Sequence, residues 1–237
     1  MRRLFIHADT ETTGLSATRN GIHSLGFVAE IYTSNERSNE SRLHAIGYWE
    51  FNPEGRERTE KALEVSHTSE EELDSRPAAS LFAADIKAAL LDCIATSYVP
   101  VEEVYIYGSY PKFDVDMIAG MDFGWTLADI IHAENVLDNK DFFGSLQRRG
   151  VYPAKAKLGL QEIVDHLGLR ARVDAGLTMM CQNAHARRYG NGDPLKLTKS
   201  HTAVYDCICS LLCLRAALEL GAYGCADYPI SLSEVSR

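Results

Sequence analysis

The run Arg3-Leu4-Phe5-Ile6-His7-Ala8-Asp9-Thr10-Glu11-Thr12-Thr13-Gly14-Leu15 constrains this chain more than any other stretch. Its first half is continuously apolar and suits a buried strand over Arg3 to Ala8. Its second half sets two carboxylates at the strand's end and then turns at Gly14. Residues i and i+2 of a strand share a face, so Asp9 and Glu11 point the same way. Carboxylates held together repel, and one of them resists ionisation unless a cation lies between them. A hard divalent ion is the natural cation for an all-oxygen site. An Asp-x-Glu by itself fits equally a strand end turning polar as it reaches solvent, so the pair takes its meaning from the rest of the chain.

The remaining pattern reads as alternating strand and helix signals. His23 to Thr33 and Arg42 to Phe51 read as two further strands joined across the polar stretch 34–41, which makes an antiparallel meander with the first. Short helices are expected at Thr59 to Val65 and after Ser69. A longer one is expected over Ala78 to Ala95, with Leu81, Ile86, Leu90 and Ile94 on its apolar side. A strand follows within Val101 to Gly108, then a helix opening near Phe113. Leu127 to Val136 reads as helical or mixed, and Phe142 to Arg149 and Leu160 to Leu167 as helices closed by Gly150 and Gly168. Ala175 to Tyr189 reads as loop into helix. His201 to Leu220 is a long helix whose apolar face carries Ala203, Cys207, Leu211, Leu214 and Leu218. The fold class is α/β, a mixed central β-sheet with an antiparallel three-strand meander, flanked by helices. The 237 residues suit one domain, 1–237, with a core over about 1–221 and a short polar tail.

Composition narrows the function classes. No apolar run is long enough to span a membrane, and the apolar run after Met1 is too short for a secretion signal, so a reducing cytoplasm or nucleus is expected. The six cysteines form no Cys-x-x-Cys pair, which removes the usual zinc spacing. The net charge of −9 argues against a protein that coats nucleic acid nonspecifically. The charge is uneven: acids dominate from Glu50 to Asp92 and bases from Lys140 to Lys199, so a polyanion meets the second segment more readily. The acidic face and the tail are the places where a second copy could dock as a homodimer.

Three places collect acids at element ends: Asp9 with Glu11, Asp114 beyond the Tyr105-Ile106-Tyr107 strand, and Asp206 with His201 at the start of the final helix. One edge of a sheet is where α/β folds build sites. Four acids from three places could bind two divalent ions, which clamp the attacking and leaving oxygens of a phosphoryl displacement. His201 has a side chain suited to taking a proton from water near neutral pH. Tyr107 and Tyr110 flank the second acid and could stack on a base, and Arg187, Arg188, Lys196 and Lys199 precede the final helix as candidate phosphate contacts. His7, inside the first strand, reads as a packing residue.

Asp9-Thr10-Glu11-Thr12-Thr13-Gly14-Leu15, Phe113-Asp114 and His201-x4-Asp206 resemble, in order and spacing, the three motifs of the DEDDh 3′-to-5′ exonucleases. The resemblance implies a ribonuclease H-like fold and hydrolysis of single-stranded DNA or RNA 3′ ends to 5′-mononucleotides, with two Mg²⁺ or Mn²⁺ ions. It implies that Asp9 bridges both ions, that Glu11 and Asp206 complete the tighter site, that Asp114 holds the region directly or through water, and that His201 is the general base. Thr12 and Leu15 would contact the terminal nucleotide. Tyr110, preceded by Ser109, stands where relatives often carry Asn, and the second strand lacks the Glu common among them at His23-Ser24-Leu25-Gly26.

Two other readings compete. A non-catalytic nucleic-acid-binding or partner module on the same fold would need none of these five residues intact. An aspartate-nucleophile phosphatase would use Asp9 as nucleophile and Glu11 as acid, but has no role for His201 and Asp206.

Overall fold

The computed structural model describes residues 2–34, 39–182, 186–192 and 202–220. His201, Lys196, Lys199 and the polar tail, to which the sequence assigns roles, lie outside the described residues.

The chain opens with β1 (Arg2–Thr12), β2 (Ile22–Ser34) and β3 (Asn39–Glu50), the expected antiparallel meander. Then come α1 (Glu60–Val65) and α2 (Glu70–Ser75), capped by the Thr59 and Ser69 hydroxyls, which accept backbone N–H groups of the first turn. After α3 (Ala83–Ser97) come β4 (Val104–Gly108), α4 (Pro111–Gly120), β5 (Val136–Asp138) and α5 (Asn139–Arg148). The described chain closes with α6 (Leu160–His166), α7 (Arg170–Gln182), β6 (Arg187–Gly190) and α8 (Ala203–Glu219). The sheet order is β5-β4-β1-β2-β3-β6, with β4 parallel to β1 and β5, and β6 parallel to β3.

Alternation along β1 divides the interior. Leu4 and Ile6 pack on one face with Ile86 and Leu90 of α3 and Met117 and Ile118 of α4. Phe5 faces the other side, where α8 lies with α5 and α6. The expected apolar face of α8 is buried: Ala203, Cys207, Leu211 and Leu214 are fully shielded and Leu218 nearly so. His7 is a packed histidine on this face, fully buried, 3.5 Å from Glu30, which takes two hydrogen bonds from Arg215 of α8.

Two expectations are corrected and a third, the helical or mixed stretch, is made specific. The helix expected from Ala78 begins at Ala83, because Ala79 N–H is tied to the Asn52 carbonyl and a short 3₁₀ turn over Ala79–Leu81 resets the phase. Leu81, expected on the apolar side, is therefore 70% exposed. The stretch Leu127 to Val136 contains two 3₁₀ turns and then the edge strand β5. Ala175 to Tyr189 is not loop into helix: α7 starts earlier, at Arg170, and Arg187–Gly190 becomes a strand. That strand depends on backbone pairing with β3 rather than on an apolar pattern. Gly190, at φ +104°, closes it where any Cβ would collide with the Tyr48 backbone.

Candidate active site

The site begins with an asymmetry in how β1 is paired. The strand expected over Arg3 to Ala8 runs on to Thr12, so Asp9 and Glu11 stand in its last four residues, opposite Gly26 and Ser24 of β2. On the other side, the pairing of β1 with β4 runs only from Leu4 to His7, and β4 stops at Gly108. The carboxylates therefore stand where the sheet is complete on one side and open on the other.

The open side receives Asp114. The N–H of Thr10 has no strand partner there and donates to Asp114 Oδ1 at 2.9 Å, and the Thr10 hydroxyl donates to the same oxygen at 2.7 Å. Thr10 points to the face opposite Asp9 and Glu11, so the residue between the two acids anchors the third. Asp114 sits in the first turn of α4 and is only 4% exposed.

Asp206 arrives from above, in the first turn of α8. The approach depends on Gly26: a Cβ there would lie 2.9 Å from Val204 N and 3.0 Å from Ala203 C. A side chain at 26 would lift the start of α8 away from the sheet. With glycine in place, Cys207 Sγ lies 3.4 Å from the Gly26 carbonyl. Carboxylate oxygens of Asp9, Glu11 and Asp206 come within 4.8 Å of one another.

The electrostatics follow from the crowding. Burial, then the Asp114, Glu11 and Asp206 charges, push Asp9 well above the usual carboxylate range. Burial, then Asp206 and Asp114, push Glu11 up to about 8. Burial raises Asp114 to about 7, against the lowering effect of its two bonds from Thr10. Three oxygen ligands at this separation, with Asp9 and Glu11 resisting ionisation, are what an oxygen-coordinated divalent cation relieves. The donor set fits such an ion.

Two residues outside the sequence motifs hold the cluster. Gln161, in the first turn of α6, donates from Nε2 to Asp206 Oδ1 at 2.7 Å. Arg170 Nη1 donates to Gln161 Oε1 at 2.7 Å, and its Nη2 to Asp165 at 2.6 Å. No motif marks Gln161 in the sequence; only its distance to Asp206 reveals it.

The remaining candidates divide. Thr12 is nearly buried, and its hydroxyl donates to the Gly14 carbonyl, so it shapes the turn after β1. That turn is tied down by Thr13 N–H to Gly21 O and by the Asn20 amide to Glu57 O, and it presents Leu15 at 87% exposure. Tyr110 is 59% exposed beside the site. Tyr107 is fully buried, edge-on to His7 and Phe142, and offers no face to a base. Arg187 is paired with Asp92 at 2.9 Å, on the strand at the opposite sheet edge from β5.

No family model matches the chain, and no curated protein matches it by sequence. Solved structures do match by fold. Cell-death related nuclease 4 (CRN-4) superposes over 92% of this chain and 64% of its own, with a TM-score of 0.56 and 12% identity. E. coli exonuclease I in complex with a dA16 oligonucleotide superposes over 91% of this chain and 40% of its own, with a TM-score of 0.53 and 13% identity. A zinc-bound form of the E. coli exonuclease I–single-stranded DNA complex matches over 92% and 40%, at 0.51 and 12%. The chain thus spans less than two thirds of each of these nucleases. At such identities the likeness is one of fold: the mixed sheet flanked by helices is the ribonuclease H-like architecture shared with these nucleases.

Proposed function

We propose that this chain is a divalent-metal-dependent 3′-to-5′ exonuclease acting on single-stranded DNA or RNA ends, organised as one domain over 1–237. The observation that carries the reading is the convergence of Asp9, Glu11 and Asp206 within 4.8 Å, with Asp114 clamped beside them through Thr10. The shared fold with CRN-4 and exonuclease I supports it. Both are nucleases, and exonuclease I is seen with a DNA oligonucleotide.

In this reading Asp9, Glu11, Asp114 and Asp206 would hold the divalent ions, two Mg²⁺ or Mn²⁺, which when bound would supply Lewis-acid stabilisation for the attacking and leaving oxygens of an in-line phosphoryl displacement. The protein's part is to fix the carboxylates before substrate arrives, which Thr10 does for Asp114 and Gln161 for Asp206. His201 takes the proton from the attacking water as general base. Leu15, exposed on a tied-down turn, wedges against the terminal base. Thr12 orients that turn, and Tyr110 meets the strand at the rim. Products are 5′-mononucleotides.

The test is a time course on matched 5′-labelled single-stranded DNA and RNA. A ladder shortening from the 3′ end with Mg²⁺ or Mn²⁺, abolished by chelator and by Asp9→Ala, is expected. His201→Ala should slow it by about 10²–10⁴-fold. Full activity of Asp9→Ala would sink the proposal. Binding without cleavage by either metal would favour a non-catalytic module on this fold.

A further inference from the structure

Local rules of chain architecture are broken twice at one spot on the rim of the carboxylate cluster. Tyr110, the residue before α4, has φ +61° and ψ 46°. A bulky side chain rarely adopts this left-handed region, and it does so at a cost. The ring is 59% exposed, so burial does little to offset that cost. Lys140, exposed, is the second residue of α5. A cation there faces the positive end of the helix dipole, where an anion is preferred. The two unfavourable placements meet: Lys140 Nζ lies 5.4 Å from the centroid of the Tyr110 ring. Violations of local preference are expected at functional or strained sites.

The backbone fixes both groups relative to the carboxylates. Tyr110 lies four residues before Asp114, which is bonded to Thr10 between Asp9 and Glu11. Lys140 follows Asp138, whose carboxylate accepts the Lys140 N–H at 2.8 Å and whose backbone pairs with Gly108 of β4. Ring and ammonium therefore stand at the C-terminal ends of two adjacent parallel strands, on the edge that carries the cluster. Lys112, two residues after Tyr110, is instead paired with Asp116 at 3.0 Å. Among the described residues Lys140 makes no ion pair, and its one described side-chain partner is a ring face.

We infer that Tyr110 and Lys140 form a nucleotide clamp on single-stranded nucleic acid, the ring stacking on a base and the ammonium neutralising a phosphate of the same strand. An aromatic face beside an uncommitted cation is the pair of groups a single strand needs, since every base has a π-face and every linkage a charge. The cation–π contact keeps the two groups together until the strand takes both places. The clamp deepens the nuclease reading by supplying grip for nucleotides at the rim, and it rests on that reading for the identity of its ligand.

The test separates grip from chemistry. Binding of the full chain to a fluorescent single-stranded oligothymidylate is measured by anisotropy in chelator, across a salt series, and hydrolysis is measured separately with Mn²⁺. Tyr110→Ala should weaken binding by about 5- to 150-fold, the range for loss of one stacked base. Lys140→Met should weaken it and reduce the slope of log affinity against log salt by about 0.7, one released counterion on a single strand. Tyr110→Trp and Lys140→Arg, which keep a ring and a charge, should recover most of each loss. Parent-like affinity and slope in Tyr110→Ala and Lys140→Met, or no binding by the parent chain, would overturn the clamp. Binding that behaves as expected without any hydrolysis would overturn the nuclease reading and leave the clamp standing.

Discussion

The side-chain amide of Gln161 donates a 2.7 Å hydrogen bond to Oδ1 of Asp206, and Arg170 holds the other end of that amide at 2.7 Å. The chain Arg170–Gln161–Asp206 commits one carboxylate oxygen to the protein and orients the other. Outer partners of this kind tune ligand affinity by about 10–100-fold. Gln161→Leu, close in volume and unable to donate, should weaken Mn²⁺ binding in calorimetric titration by that factor, with little change in melting temperature. Unaltered Mn²⁺ affinity would show that the bond does not position Asp206.

The raised carboxyls make the metal-free protein pH-sensitive in a definite direction. Glu11 stands at about 8 and Asp114 at about 7 in the folded chain, against about 4 for unfolded carboxyls. Between those values the folded state keeps protons that the unfolded state has released. Stability is therefore fully present below about pH 4 and declines as pH rises through 7 to 8. The chelated protein should melt at a lower temperature near pH 8 than near pH 5.5. Mn²⁺ should restore the loss, with an affinity that rises with pH as bound protons are displaced. A flat melting profile from pH 5.5 to 8 in chelator would contradict the crowding.

Asp9 stands between function and stability. Its charge is opposed by burial and by three other carboxylates. Asp9→Asn should abolish metal-dependent hydrolysis. In chelator near pH 8 it should also raise the melting temperature, by about 2–4 °C for each kcal/mol of repulsion relieved. A fall in melting temperature would mean that Asp9 is stabilised by contacts other than those seen.

Gly26 controls the height of α8 above the sheet. Gly26→Ala places a methyl 2.9 Å from Val204 N and 3.1 Å from the Ala203 side chain. Overpacking of this kind costs about 1–3 kcal/mol, measurable by denaturant unfolding. Asp206 should move with the helix, so Mn²⁺ affinity should fall as well. Loss of stability with full metal affinity would uncouple the helix position from the site.

The amino-acid sequence determined the class of fold and the identity of the acids. Strand and helix periods are local, so the meander, the capped short helices and the apolar face of α8 could be read from residue order. Asp9 and Glu11 share a face because alternation along a strand is geometric. Local patterns misled where long-range pairing outweighed local preference. The strand β6 exists because β3 offers it a partner, and β1 continues to Thr12 because β2 runs alongside it. The tertiary structure alone decided how the acids meet. Thr10, to which the sequence assigned no role, anchors Asp114, and a glycine opposite Asp9 admits the helix that carries Asp206. Gln161 and Lys140 stay silent in the sequence for the same reason. Their meaning lies in distances to residues far along the chain, and those distances are set by the packing of the whole sheet rather than by any neighbour in sequence.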